Sequence, residues 1–154
     1  MGQQQLLLVI LVTILVGIAT VVAINVFGDS AEQANRDAVR QDLLQAAAQA
    51  QAVWVKPALL GGADRNFANP NITEAELLAA LRIPGNSATR TNLDDDSVTD
   101  DVVTNENGVY RITASGEDNI TIFAEPTSYT RTIELALTRE NNEWTFDITE
   151  ADFD

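Results

Sequence analysis

The chain has 154 residues, nine of them basic and 23 acidic, and its formal net charge is −14. It contains no histidine and no cysteine, which excludes disulfides, imidazole or thiolate catalysis and the usual ligand sets of zinc and haem. The strong acidity opposes direct attraction to nucleic acid. It is typical of an ordinary acidic surface or of adaptation to high salt, and both interpretations stay open. We predict no catalytic residue, no cofactor and no bound metal.

The first element is the segment Leu6–Phe27, which is uncharged and carries three polar side chains, Thr13, Thr20 and Asn25. As an α-helix it would be roughly 33 Å long at about 1.5 Å per residue, enough to cross a hydrocarbon core of about 30 Å. The alternative is a cleaved secretory signal, which usually has a shorter apolar core and a basic start. No Lys or Arg precedes Leu6. We therefore expect an uncleaved helix and a single-pass membrane protein.

The helical pattern continues beyond the apolar segment. No proline occurs before Pro57, and residues 31–55 are dominated by helix-favouring types. Apolar side chains recur there at helical spacing and form one stripe, made of Val39, Leu43, Ala46, Ala47, Ala50 and Val53. The sequence thus predicts a nearly continuous helix from about Gln3 to Val55, apolar on all sides in residues 1–28 and amphipathic in residues 29–56.

Residues 57–108 read as a connector with one short helix. Thr73 and Glu76 form the pattern of a capping box at the start of that helix, and turn signals such as Gly61-Gly62 surround it. Residues 86–108 are polar, and we expect a surface excursion. The aspartate-rich run Leu93–Asp101 suggests calcium, but it lacks the glycine of a helix–loop–helix calcium site, so we favour a solvated acidic loop.

From residue 109 to residue 154 the period changes to alternation, which predicts four β-strands with short connections and hence an antiparallel meander. The apolar face of this sheet needs a cover, and the amphipathic half of the helix is the long element that supplies one. The predicted fold class is therefore α+β, a long N-terminal helix packed on a four-stranded antiparallel meander sheet. The aromatic side chains are assigned to helix–sheet packing in preference to a ligand pocket: Trp54, Tyr110, Trp144 and Phe146.

This arrangement resembles the type IV pilin family, in which a long helix has an apolar N-terminal half and a second half packed on an antiparallel sheet. The resemblance covers the whole chain in architecture. It does not extend to the N-terminal motif, because a basic leader is absent and the fifth residue after Gly2 is Leu7, where pilins carry glutamate. Arg36 and Arg40 after the apolar segment would place the rest of the chain in the cytoplasm by the positive-inside rule. We let the architecture outweigh this weak signal.

The resemblance implies a structural subunit of an extracellular, pilus-like filament at the cell surface. Its partners would be copies of itself, the membrane before assembly, and assembly machinery. Gln3, Gln4 and Gln5 are candidates for hydrogen bonds between subunits, and Gly17 is a candidate weak point of the helix. The side chains predicted to pack in the filament core are Leu6, Leu7, Leu8, Val9, Ile10, Leu11, Val12, Ile14, Leu15, Val16, Ile18, Val21, Val22 and Ile24.

Three alternatives stay open at this point. One is a membrane-anchored binding or sensor module outside the cytoplasm, and the second is a secretion pseudopilin or minor pilin. The third is an enzyme that uses carboxylates alone, which no motif in the sequence supports. Asn119 begins a glycosylation sequon, Asn-Ile-Thr, at a predicted turn, and we name it as a candidate modification site.

Overall fold

A computed structural model of the chain describes residues 2–91 and 99–152. The chain divides into two compact units, Met1–Ala34 and Asn35–Asp154, which we call the N-terminal unit and the C-terminal unit. The fold class is α+β, with one long N-terminal helix and an antiparallel sheet of six strands.

The first helix, α1, extends over Gly2–Val55 without a break. Its length follows from the absence of proline before Pro57 and from the dominance of helix-favouring residues. Gly17 and Gly28 both lie inside the helix, and neither interrupts its hydrogen bonds. The expected helix from Gln3 to Val55 is thus confirmed.

Two short helices follow α1 in the C-terminal unit. A 3₁₀ helix occupies Ala58–Leu60, and α2 occupies Glu74–Ala80. The capping box predicted for α2 is present, because the Glu76 amide donates to the Thr73 hydroxyl while the Glu76 carboxylate accepts from the Thr73 amide.

The sheet is a simple meander in which every strand pairs with its sequence neighbours. Its strands are β1 Asn86–Thr91, β2 Thr99–Thr104, β3 Gly108–Gly116, β4 Asn119–Pro126, β5 Arg131–Glu140 and β6 Glu143–Asp152. Asn141 and Asn142 form a two-residue hairpin loop between β5 and β6, with Glu140 paired to Glu143 and positive φ at both asparagines.

The expectation of four strands was wrong, since β1 and β2 lie inside the segment expected to be a surface excursion. β1 is Asn-Ser-Ala-Thr-Arg-Thr and has no large apolar side chain, so it shows no alternation to detect. In β2 the buried pair Val102 and Val103 is adjacent in sequence, which breaks the period of two. Most of the acidic run Leu93–Asp101, including its candidate calcium ligands at 94–96, lies outside the described residues.

The core of the C-terminal unit is formed by one face of α1 against one face of the sheet. All six side chains of the predicted stripe, from Val39 to Val53, are buried together with Trp54. Opposite them, neighbouring strands align inward side chains in register, as in the row Ile112, Ile122 and Leu135. Leu77, Leu78 and Leu81 of the α2 region complete the same cluster.

The aromatic side chains divide between core and surface. Trp54 and Tyr110 are buried, and Trp144 packs edge-on against Trp54 with ring centroids 5.5 Å apart. Phe146 was expected in the core, but it is 59% exposed. It belongs to β6, the last strand of the sheet, whose inward face is only partly covered, as the half-buried Trp144 and Ile148 show.

Candidate functional site

The main candidate site is the surface of the N-terminal unit itself. Within it, the large apolar side chains from Leu6 to Phe27 are between 49% and 75% exposed. Because consecutive residues of a helix point in different directions, this means that apolar surface faces outward on every side. The helix is long and apolar enough to cross a membrane, and its most apolar stretch of 18 residues contributes nothing to a buried core.

The hydroxyl groups of this segment are satisfied within the helix. Thr13 donates to the carbonyl oxygen of Ile10 at 2.8 Å, and Thr20 donates to that of Val16 at 2.8 Å. Such bonds to the preceding turn let threonine reside in an apolar medium without an unpaired donor. The predicted site residues Gln3, Gln4 and Gln5 are exposed, and a Cβ added at Gly17 would meet nothing within 4 Å.

In the C-terminal unit, Glu150 of β6 collects three donors. The Arg36 guanidinium donates to both carboxylate oxygens, at 2.6 and 2.8 Å, Arg40 donates to Oε1, and the Tyr129 hydroxyl donates to Oε2 at 2.9 Å. The Arg36 hydrogen bonds are the largest cause that holds the pKa of Glu150 below its ordinary value; partial burial opposes them, and Tyr129 and Arg40 lower the pKa further. This cluster ties α1 to the last strand of the sheet.

A second polar cluster lies around Asp42 of α1. One carboxylate oxygen accepts from the hydroxyl of Tyr110 at 2.7 Å, from the side-chain amide of Asn107 at 2.9 Å and from the side-chain amide of Asn105 at 3.2 Å. Burial raises the pKa of Tyr110 far above its ordinary value, and the hydrogen bond to Asp42 raises it further. A phenol held neutral in this way serves as a fixed donor. All its partners are side chains of this chain, so the cluster fastens α1 to β3 and to the turn before it.

The end of α1 is closed by a tight loop. The amides of Ala63 and Arg65 donate to the carbonyl oxygens of Val53 and Trp54 in the last turn of the helix, at 2.8 and 2.6 Å, and the Asp64 amide donates to that of Lys56, just after the helix, at 2.9 Å. The close return requires glycine at position 62, because a Cβ there would overlap the carbonyl oxygen of Lys56. This geometry holds Leu59 at the tip of the loop, where it is 96% exposed.

A groove adjoins this loop, between the end of α1 and α2. Its volume is about 700 Å³. We call it the α1–α2 groove and define it by its lining residues, namely Gln49, Ala52, Val53, Lys56, Ala58, Gly61, Asn71, Ile72, Glu76, Ala79, Ala80 and Arg82.

The candidate modification site Asn119 is the first residue of β4 and is half-buried, and its Oδ1 has no hydrogen-bond partner. It lies against Gly116 across the tight turn between β3 and β4. A second sequon, Asn-Ile-Thr, begins at Asn71, which is exposed and lies in a turn. Within residues 2–91 and 99–152, no group of three or more Asp and Glu side chains has an arrangement that could hold a metal ion.

Comparison with protein-family models, with curated proteins and with solved structures finds no match.

Sequence reasoning found the apolar segment and missed the α1–α2 groove and the Glu150 cluster. The groove joins residues 49–61 to residues 71–82, and no local pattern indicates which helix faces meet. One sequence feature did mark a residue of the groove. Lys56, which lines it, is the chain's single lysine and follows the uncharged stretch of α1 after Asp42.

Proposed function

We propose that this chain is a structural subunit of a helical filament at the cell surface, which polymerises through the apolar part of α1. The observation that carries the proposal is the exposure of apolar side chains on every side of the helix of the N-terminal unit. Apolar surface of that extent is unstable in water, so it requires a cover from outside the chain.

Two covers are physically equivalent for these side chains. Lipid tails cover them before assembly, and the apolar segments of other copies cover them in the filament, where the predicted core residues from Leu6 to Ile24 would pack against each other. Gln3, Gln4 and Gln5 would hydrogen-bond between neighbouring copies, because unpaired amides are costly in a dry helix bundle. Assembly machinery would move each copy from lipid to filament.

The proposal is supported by the self-contained core of the C-terminal unit, which starts at Val39 and is completed by its own sheet. The apolar side chains of that core are buried within the unit itself, without a partner. With its acidic composition, it would form the outer, solvated part of the filament.

The test is a charge placed in the apolar segment. Val12→Asp and Val16→Asp should each abolish filaments in native material viewed by negative-stain electron microscopy, because a carboxylate in an apolar helix core costs about 2.5–3.5 kcal/mol. Gln41→Asp is the matched control, since it adds the same charge to an exposed position of the same helix, and it should leave filaments intact.

Normal filaments from Val12→Asp would refute the proposal. Single particles from the natural protein, with no fibres, would favour the membrane-anchored binding module. Fibres in which this chain is a rare component would favour a minor pilin or pseudopilin.

A further inference from the structure

We propose that the α1–α2 groove of each copy receives the end of the apolar segment of a neighbouring copy, with Phe27 in the groove and Asp29 opposite Lys56. This inference rests on the proposed filament and names one contact within it. It assigns a self-association site to a surface of the C-terminal unit.

The shape of the groove fits a helix. Its two walls are helical, one with Gln49, Ala52 and Val53 of α1 and the other with Glu76, Ala79 and Ala80 of α2. Three of these six side chains are alanine, and small residues allow another helix to approach closely. Its apolar lining includes Val53 and Ile72, and a volume of about 700 Å³ exceeds what one large side chain fills.

The rim of the groove is basic in a chain whose net charge is −14. Lys56 and Arg82 both line it and are exposed, and neither forms a salt bridge with any of the residues that the structure describes. The one acidic lining residue, Glu76, is engaged by the amide and hydroxyl of Thr73 in the capping box. The groove therefore offers a mixed lining with apolar side chains such as Val53 and Ile72, and two cations that form no salt bridge with the described residues.

The chain itself carries a segment with the complementary pattern. Phe27 is 75% exposed, the largest ring of the apolar segment, and it ends that segment. Asp29 and Glu32 follow within five residues. In this segment the apolar end of the helix is followed by the carboxylates of Asp29 and Glu32, and in the groove apolar side chains lie beside the cations of Lys56 and Arg82. The two surfaces are therefore complementary in charge, and both contain apolar side chains. Elsewhere the acidic surfaces of two copies repel each other, so this contact is favoured by charge as well as by burial.

The loop beside the groove extends the apolar surface. Leu59 and Leu60 are 96% and 64% exposed, and the loop that holds them is fixed to the last turn of α1 by two backbone hydrogen bonds and to Lys56 by a third. Val55, on the last turn of α1, is 58% exposed. A neighbouring helix in the groove would cover these side chains, which otherwise remain in water.

The first test uses the absence of cysteine, which makes an engineered disulfide unambiguous. In the full chain, Phe27→Cys with Ala79→Cys places a thiol on each side of the proposed contact, and both positions are exposed in the single chain. Mild oxidation of assembled filaments should give disulfide-linked ladders on a non-reducing gel. Phe27→Cys with Thr113→Cys, a pair with one thiol on the exposed sheet, should give none.

The second test exchanges the charges. Asp29→Lys alone and Lys56→Asp alone should each reduce the yield of filaments several-fold, and the double variant should restore it. Cross-linking that is equal for both cysteine pairs, or a double variant that adds the two losses, would overturn the groove contact while leaving the filament itself established. If the natural chain forms no filaments at all, the proposed function fails and the contact fails with it.

Discussion

The Glu150 cluster gives the sharpest stability prediction. Glu150→Gln keeps the size of the side chain and one carbonyl acceptor but removes the charge that Arg36 and Arg40 share. The carboxylate is only 17% exposed and Arg36 is 28% exposed, while Arg40 is 40% exposed and hence better screened by water. Hydrogen bonds to charged groups contribute about 1.5–3 kcal/mol each when poorly solvated, and exposed ion pairs contribute under about 1 kcal/mol. We expect a net loss of about 2 kcal/mol.

The assay is thermal and urea unfolding of the full chain in detergent, followed by tryptophan fluorescence, since Trp54 and Trp144 lie in or against the core. For a unit of this size, about 2 kcal/mol corresponds to a fall in Tm of roughly 6–10 °C. The pKa of Glu150 is lowered in the folded state, so its contribution is present above the ordinary glutamate range near 4.5. It is lost as pH falls through that range toward the folded pKa. The difference between natural chain and variant should therefore shrink in acid.

A more exposed pair provides the control. Arg90 and Glu125 form a single salt bridge at 2.6 Å, and Arg90 is 42% exposed. Glu125→Gln should cost under about 1 kcal/mol. If Glu150→Gln costs no more than Glu125→Gln, or if its cost is the same at pH 7 and pH 3.5, the cluster does not fasten α1 to the sheet as the geometry indicates.

Two further predictions concern the second polar cluster and the glycines. Tyr110→Phe removes one of three donors to Asp42 and should cost about 1–2 kcal/mol at pH 7. The loss of stability with rising pH above about 10 should be weaker in the variant, because the natural tyrosine ionises only after unfolding; an identical alkaline profile would contradict this. Gly62→Ala should destabilise the C-terminal unit, because its Cβ overlaps the Lys56 carbonyl oxygen, whereas Gly17→Ala should add helix stability of about 1 kcal/mol. If both glycine substitutions change the free energy of unfolding equally, the requirement for glycine at position 62 is contradicted.

The helical half of the fold could be predicted because its signals are local. Absence of proline and a stripe at helical spacing fix α1, and the pattern of Thr73 and Glu76 fixes the start of α2. The last four strands were predictable for the same reason, since each has an alternating apolar face. In β3 to β5 burial largely follows this alternation, whereas in β6 the alternation is present but Phe146 is 59% exposed.

The first two strands and both polar clusters could not be predicted, because their stabilising partners are distant in sequence. β1 has no apolar face of its own and is held by its ladder to β2, from Asn86 opposite Thr104 to Thr91 opposite Thr99. Glu150 meets Arg36 across 114 residues. From sequence alone, charged residues on the polar side of a helix are predicted to be solvated. The sequence does not show which carboxylate the tertiary fold places beside them.

The exposed apolar segment raises a question of specificity that hydrophobicity alone does not answer. Lipid tails and a bundle of apolar helices are about equally apolar, so transfer from one to the other supplies little free energy. What differs is contact between copies, which arises from close packing of helices and from the surfaces of the C-terminal unit. A chain whose polymerisation must be favoured over residence in lipid therefore needs recognition outside the segment Leu6–Phe27. The α1–α2 groove, with its basic rim on an acidic chain, has the chemistry for that recognition.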